Sequence, residues 1–326
     1  MRICNRCIMD ESDPNIVFDE KGYCNHCTNA ITNLNNSVYG LDKDMKKEAL
    51  RDLIGKIKKS GEGKDFDCIV GLSGGVDSSY TLYLLKKWGL RPLAVHADNH
   101  WNSKEADENI ENLVRMLEVP LVHEKVDWNE FKDMQLAFLR SSTPDSEVPS
   151  DNLIFAILYK IAKKHGINYI MAGYNSASES ILPKAWSQGH FDKRYIKTIH
   201  KQFGKLSKVS FPIISNFDRI LYKKLYHIQV IKTLDYIDYN KEEAKQFIQD
   251  NFAWKDYGRK HGESIYTKIF QEFILPRKFG YDKRKAHYSS LIIAGQMNRG
   301  DALELIAEPL YKSDDDLKKD INLLCE

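Results

Sequence analysis

The chain has 326 residues, enough for one large domain or two modest ones, and its 42% hydrophobic content predicts an ordinary core. Its 48 basic residues against 46 acidic ones leave a net charge of +2, which argues neither for nor against nucleic acid. No apolar run approaches the roughly 20 residues that span a bilayer, and MRICNRCIMD lacks the apolar stretch of a signal peptide, so a cytoplasmic protein with no membrane insertion is expected.

Four of the six cysteines fall in the first 27 residues. Cys4, Cys7, Cys24 and Cys27 form C-x2-C-x16-C-x2-C, two turns that each offer a thiolate pair to one tetrahedral ion. Ile16, Val17 and Phe18 followed by Asp19-Glu20-Lys21-Gly22 suit a hairpin between them. So small a segment cannot bury a core of its own, so bound zinc would supply the folding energy. A full four-cysteine shell has no open position, which makes the expected Zn2+ structural.

A helix is predicted over residues 42–59, with Met45, Leu50, Leu53, Ile54 and Ile57 on one stripe. A β/α alternation follows. DCIVGL, RPLAVHAD, PLVHEKVD and NYIMAGY read as strands; DSSYTLYLLKKW, SKEADENIENLVRML, WNEFKDMQLAFLR and SDNLIFAILYKIAKKHG read as helices. Apolar strands separated by helices of this length predict an α/β fold, a doubly wound parallel sheet with helices on both faces. From about residue 190 the pattern is mostly helical, and the charged tail KSDDDLKKDINLLCE reads as peripheral.

The first strand runs into Ser73-Gly74-Gly75-Val76-Asp77-Ser78-Ser79 and then a helix. Glycines at a strand-to-helix turn let backbone N–H groups crowd around an anion at the helix N-terminus, and Ser73, Ser78 and Ser79 add hydroxyl donors. Asp77 would repel phosphate unless Mg2+ lay between them. The lysine of a Walker loop is absent. His96, Asp98 and His100 alternate after the second strand, a pattern more often structural than metal-binding.

SGGVDS resembles the SGGxDS signature of the PP-loop ATP pyrophosphatases. The resemblance implies that the loop holds the pyrophosphate of ATP while the bond between the α- and β-phosphates breaks, an acceptor oxygen is adenylated, and a nitrogen or sulfur nucleophile then displaces AMP. The missing lysine fits this, because the cradle stabilises a leaving pyrophosphate and does not deliver a γ-phosphoryl group. It implies catalytic roles for Ser73, Asp77 and Ser78. It implies ATP contacts from Gly71, Ser73, Gly74, Gly75, Asp77, Ser78 and Ser79, from His96 and Asp98, and from Gly173 and Asn175 after the fourth strand. Glu179 and Lys184 lie just beyond and are candidate substrate contacts.

Residues 254–306 mix helical spacing with dense cations and the aromatics Phe279, Tyr281 and Tyr288. By spacing alone this is either a grip for a nucleotide or RNA or a solvated basic helix face. KHGESIYTK, LPRKFGYDKRKAH and SSLIIAGQMNR, together with the cysteine ribbon, resemble the N-acetyl sugar amidotransferases of surface-polysaccharide and flagellin-glycan pathways. Arg259 departs from that pattern. The resemblance implies a Cys4 zinc ribbon at 1–35, a PP-loop domain at 36–190 and a mostly helical substrate or partner region at 191–326. It implies ATP-dependent conversion of an acetamido group on a nucleotide sugar to an acetamidino group, with Lys260 also catalytic and Lys184, Lys260, His261, Arg277 and Lys278 on substrate. No glutaminase motif occurs: residue 2 is arginine, and there is no Gly-x-Cys-x-Gly. The resemblance implies that ammonia comes from a separate glutaminase subunit with a cyclase-like barrel subunit. No nucleic-acid partner is expected, and nothing in the chain forbids a homodimer. A tRNA-thiolating PP-loop enzyme is the alternative, weakened because only Cys68 and Cys325 remain to carry sulfur.

Overall fold

The computed structural model describes residues 1–257, 262–311 and 313–325. Its centre is a five-stranded, wholly parallel sheet: β1 (Cys68–Gly71), β2 (Pro92–Asp98), β3 (Leu121–Lys125), β4 (Tyr169–Ala172) and β5 (Gln229–Lys232), in the order β3-β2-β1-β4-β5. The first four are the strands the sequence predicts. β5 is new, and it carries the sheet beyond the expected boundary at 190. Its two apolar residues, Val230 and Ile231, stand between Gln229 and Lys232 inside a stretch that reads as mostly helical, so no apolar run marks the strand.

The helices are α1 (Asn25–Asn35), α2 (Lys43–Ser60), α3 (Val76–Lys87), α4 (Lys104–Met116), α5 (Trp128–Arg140), α6 (Val148–Lys164), α7 (Ser176–Glu179), α8 (Lys193–Phe203), α9 (Asn216–Tyr226), α10 (Lys241–Phe252), α11 (Ile265–Ile269), α12 (Leu275–Phe279), α13 (Lys283–Ile293), α14 (Arg299–Ala307) and α15 (Asp314–Cys325). One π-helical segment, Phe270–Ile274, joins α11 to α12.

Strand alternation explains why both faces are covered. Ile69, Leu93, Val95 and Ile170 point into one core, with Phe131, Phe138, Leu153 and Ile157 of α5 and α6. Cys68, Val70, Ala94 and Met171 point into the other, with Leu53 and Ile57 of α2, Leu82 and Leu85 of α3 and Ile248 of α10.

Local chemistry places the helix starts. Ser103 Oγ accepts from Ala106 N at 3.1 Å to begin α4, and Asp127 Oδ1 accepts from Glu130 N at 3.0 Å to begin α5. α3 begins instead at Gly75, with no side-chain cap, at the carboxyl edge where open α/β sheets bind ligands. The tail is not peripheral: α15 packs on α11, and Asp320 pairs with Lys268 at 2.5 Å. Among the described residues, no helix is long and apolar enough to cross a membrane.

Candidate active site

Gly74 has φ +78°, and a Cβ there would lie 2.4 Å from the Ala106 carbonyl oxygen, so only glycine lets the loop lie against α4. The Gly74 carbonyl accepts from Trp254 Nε1 at 2.9 Å and Asn109 Nδ2 at 3.3 Å, which fixes the loop from behind. Ser73 and Ser78 approach each other, Oγ to Oγ, at 3.3 Å. Ser79 is buried in α3. Gly71 lies in β1 facing Leu158 and serves packing.

Asp77, in the first turn of α3, accepts a short hydrogen bond from the Tyr239 hydroxyl, and Lys241 Nζ lies 4.0 Å from its second oxygen. Tyr257 and Glu263 close over the glycines: a Cβ on Gly75 would stand 3.1 Å from the Tyr257 hydroxyl and 3.3 Å from Glu263 Oε1. The Tyr257 oxygen also meets the Val76 backbone N–H. Burial, reinforced by Asp77 beside Tyr239 and by Glu263 and Asp77 beside Tyr257, pushes both phenols far up, so both remain protonated donors at neutral pH.

The second and fourth strands deliver the other expected residues to this edge. His96 is buried, its Nδ1 2.8 Å from the Leu72 carbonyl, and desolvation pushes its imidazole down and keeps it neutral. Asp98 accepts from His100 N at 2.8 Å. A Cβ on Gly173 would meet Ser78 N at 2.8 Å, so this glycine allows β4 to butt against the first turn of α3. Asn175 is 1% exposed; its Oδ1 caps α7 by accepting from Ser178 N at 3.0 Å, and its Nδ2 has no hydrogen-bond partner among the described residues.

The basic block divides differently from either expectation. Lys283 Nζ is 2.8 Å from Glu147, Arg284 holds Asp282 and the Glu308 carbonyl, and Lys285 pairs with Asp10. These three cations pair within the chain and do not form a solvated face. Arg277 stacks over Phe273 at 4.0 Å, and Lys278 reaches Ser142 Oγ at 2.7 Å; both side chains are exposed. Lys184 is also exposed. Lys260 and His261 lie outside the described residues.

The four ribbon cysteines are fully buried. Cys4 and Cys27 sulfurs are 3.8 Å apart, and those of Cys7 and Cys24 3.6 Å. Bonds of about 2.3 Å to a tetrahedral zinc ion require about 3.8 Å between sulfurs, so the donor set fits Zn2+. Hydrogen bonds to Cys4 Sγ from Arg6 N at 3.4 Å and Cys24 N at 3.2 Å fit a thiolate. The ribbon is docked firmly on the C-terminal helices: Arg299 donates to the Cys4 and Cys7 carbonyls at 2.9–3.2 Å, and Ile8 N donates to Ser289 Oγ at 3.1 Å.

Sequence reasoning missed Asn109, Tyr239, Lys241, Trp254, Tyr257 and Glu263. Trp254, Tyr257 and Glu263 do lie in the distinctive block, where aromatics beside acids were a usable signal. Tyr239 and Lys241 carry no local signal, because β5 and the turn after it bring them to the loop.

Residues 67–215 match the family described as queuosine biosynthesis protein QueC, and residues 263–326 match the LPS biosynthesis protein WbpG-like C-terminal domain. An uncharacterized protein of Methanocaldococcus jannaschii is 31% identical over 52% of this chain and 58% of its own length. The tRNA-specific 2-thiouridylase MnmA 2 of Fusobacterium nucleatum is 27% identical over 40% of this chain and 38% of its own. These matches thus span less than three fifths of the relatives' own length. Among solved structures, the NMN synthetase from Francisella tularensis aligns with a TM-score of 0.31 and 16% identity, covering 66% of this chain and 98% of that one. The NH3-dependent NAD synthetase from Campylobacter jejuni aligns with a TM-score of 0.33 and 15% identity, covering 65% and 95%. SGGVDS stands intact at the head of α3, inside the stretch that matches over residues 67–215, so this part of the chain is similar to the PP-loop ATP pyrophosphatases that the motif resembles.

Proposed function

We propose that the protein activates an N-acetyl group of a nucleotide-activated sugar with ATP and converts it to an acetamidino group with ammonia. One observation carries the reading. The segment that matches an LPS biosynthesis domain begins at Glu263, and the Glu263 carboxylate lies against Gly75 of the phosphate loop. The part of the chain that resembles sugar-pathway proteins thus meets the part that handles phosphate.

The amide oxygen attacks the α-phosphorus of ATP, and pyrophosphate leaves. Ammonia adds to the carbon of the resulting O-adenylyl imidate, and AMP departs with the former amide oxygen. An amide oxygen is a weak nucleophile, so placement and charge neutralisation carry the rate. In this reading the backbone around Gly74 and Gly75, with Ser73 and Ser78, holds pyrophosphate. Asp77 would hold Mg2+, which supplies neutralisation of phosphate charge. Tyr239 and Lys241 orient the carboxylate and limit its repulsion of the nucleotide. The ribbon would hold a structural Zn2+, and ammonia would come from a separate glutaminase subunit.

The 2-thiouridylase relatives favour the rival reading, in which sulfur is transferred to tRNA. The site gives that chemistry little to work with. Cys68 is fully buried, and desolvation together with Asp67 pushes its thiol far above its ordinary range. A thiol that stays protonated inside the core is a poor sulfur carrier. Incubation with ATP, Mg2+, ammonium and a panel of nucleotide sugars tests the proposal: mass spectrometry is expected to show an acetamido sugar with O replaced by NH. Pyrophosphate release with tRNA and a sulfur donor, and none with any sugar, would contradict it.

A further inference from the structure

A second cluster of ligating side chains lies where β2 and β3 end. His96 and His123 are register partners on adjacent parallel strands, and Asp98 lies two residues beyond His96. Period-two alternation therefore puts all three side chains on one face. Their ligand atoms all lie within 4.8 Å of one another. His100, which alternates with them in sequence, turns away: its Nε2 meets the Val126 carbonyl at 2.8 Å.

The cluster is oriented by its surroundings. The Leu72 carbonyl can only accept, so His96 Nδ1 carries the proton and Nε2 keeps its lone pair, which accepts from Asn102 Nδ2 at 2.9 Å, a hydrogen bond that a bound ion would replace. The His100 backbone N–H holds one Asp98 oxygen at 2.8 Å, and the other oxygen faces His123 Nε2 at 3.1 Å. Backbone groups that fix the outer atoms of imidazole and carboxylate in this way are what orient metal ligands. The turn is also strained: His100 has φ +66°, a left-handed conformation that persists only where the structure around it enforces it. Access is open on one side, since His96 is buried while the His123 side chain is 53% exposed.

We infer that His96, Asp98 and His123 form a binding site for a divalent transition metal, separate from the cysteine ribbon. Two imidazoles and one carboxylate suit Zn2+, Co2+, Fe2+ or Mn2+, and the mixed donor set disfavours Mg2+, which prefers oxygen alone. Three protein ligands leave positions for oxygen donors. Leu72, which anchors His96, directly precedes Ser73, so the ion stands beside the phosphate loop, and a phosphate or hydroxyl oxygen of a nucleotide is the ligand class that fits. Lys125 Nζ, 3.8 Å from Asp98, is the charge partner the ion would displace. The site does not depend on which acceptor the enzyme modifies.

Cobalt binding tests it. Full-length protein, dialysed against a chelator under reducing conditions, is titrated with Co2+ and followed by visible absorption and metal analysis. A cysteine-bound ion shows sulfur-to-metal charge transfer, and an ion on imidazole and carboxylate does not. Saturation at about two ions per chain is expected, the second without charge transfer. His123→Ala and Asp98→Asn should each lose the second ion and keep the first. Saturation at one ion, or a second ion that either variant retains, overturns the site.

Discussion

Asp77 puts a carboxylate into a loop built for anions, and its contacts say how that is tolerated. A phenol held protonated donates to one oxygen and a lysine stands 4.0 Å from the other, so part of the negative charge is answered before any nucleotide arrives. Asp77→Asn should lower pyrophosphate release by about 100-fold or more, and Tyr239→Phe by about 10-fold, measured as kcat with ammonium as nitrogen source. Gly173→Ala is a different test. Its methyl group would meet the α3 backbone at 2.8 Å, so a loss of about 1–3 kcal/mol in urea unfolding is expected together with weaker ATP binding. SGGVDSS was legible in the sequence because its chemistry is local, the glycines and hydroxyls adjoining one helix start. Tyr257 and Glu263 were not, because nothing near residue 75 foretells that a segment nearly 190 residues later closes over it.

At the scale of elements, the sequence showed the first four strand patterns and the cysteine spacing, since each is bounded by turn residues or counted. It did not show β5, nor the use of the basic block. Cations at helical spacing look alike whether they face solvent or a buried partner, and only the fold tells Lys283 facing Glu147 from an exposed lysine. Arg299 is the clearest case. One guanidinium holds two carbonyls of the first cysteine turn, so Arg299→Ala should cost about 2–3 kcal/mol and make the ribbon lose zinc faster to a chelator, read by metal release and by urea midpoint. His190 gives a pH signature. Burial works against its charge, but Asp145 at 3.1 Å and Asp151 at 3.0 Å outweigh it and carry the imidazole up to about 10. A folded-state value above the unfolded value of about 6.5 stabilises the fold most at low pH, and that stabilisation is lost as pH rises from there through about 10. The urea midpoint of the wild type should fall more steeply over that range than that of His190→Gln; parallel curves would show that the triad does not link to folding.

The whole molecule joins three parts: a cysteine ribbon clamped to C-terminal helices, a pair of side chains before α11, Tyr257 and Glu263, that close over a phosphate loop, and a parallel sheet that aims the loop. The reading as an ammonia-dependent enzyme predicts turnover with ammonium salts alone, and with glutamine only when a glutaminase partner is added. The central claim is that ATP activates an amide oxygen by cleavage between its α- and β-phosphates. It is tested most directly with a nucleotide sugar carrying a heavy-oxygen label in its acetamido carbonyl. The account predicts that the label leaves in AMP, one atom for each acetamidino group formed. Label recovered in inorganic phosphate, or retained in the sugar product, would contradict it.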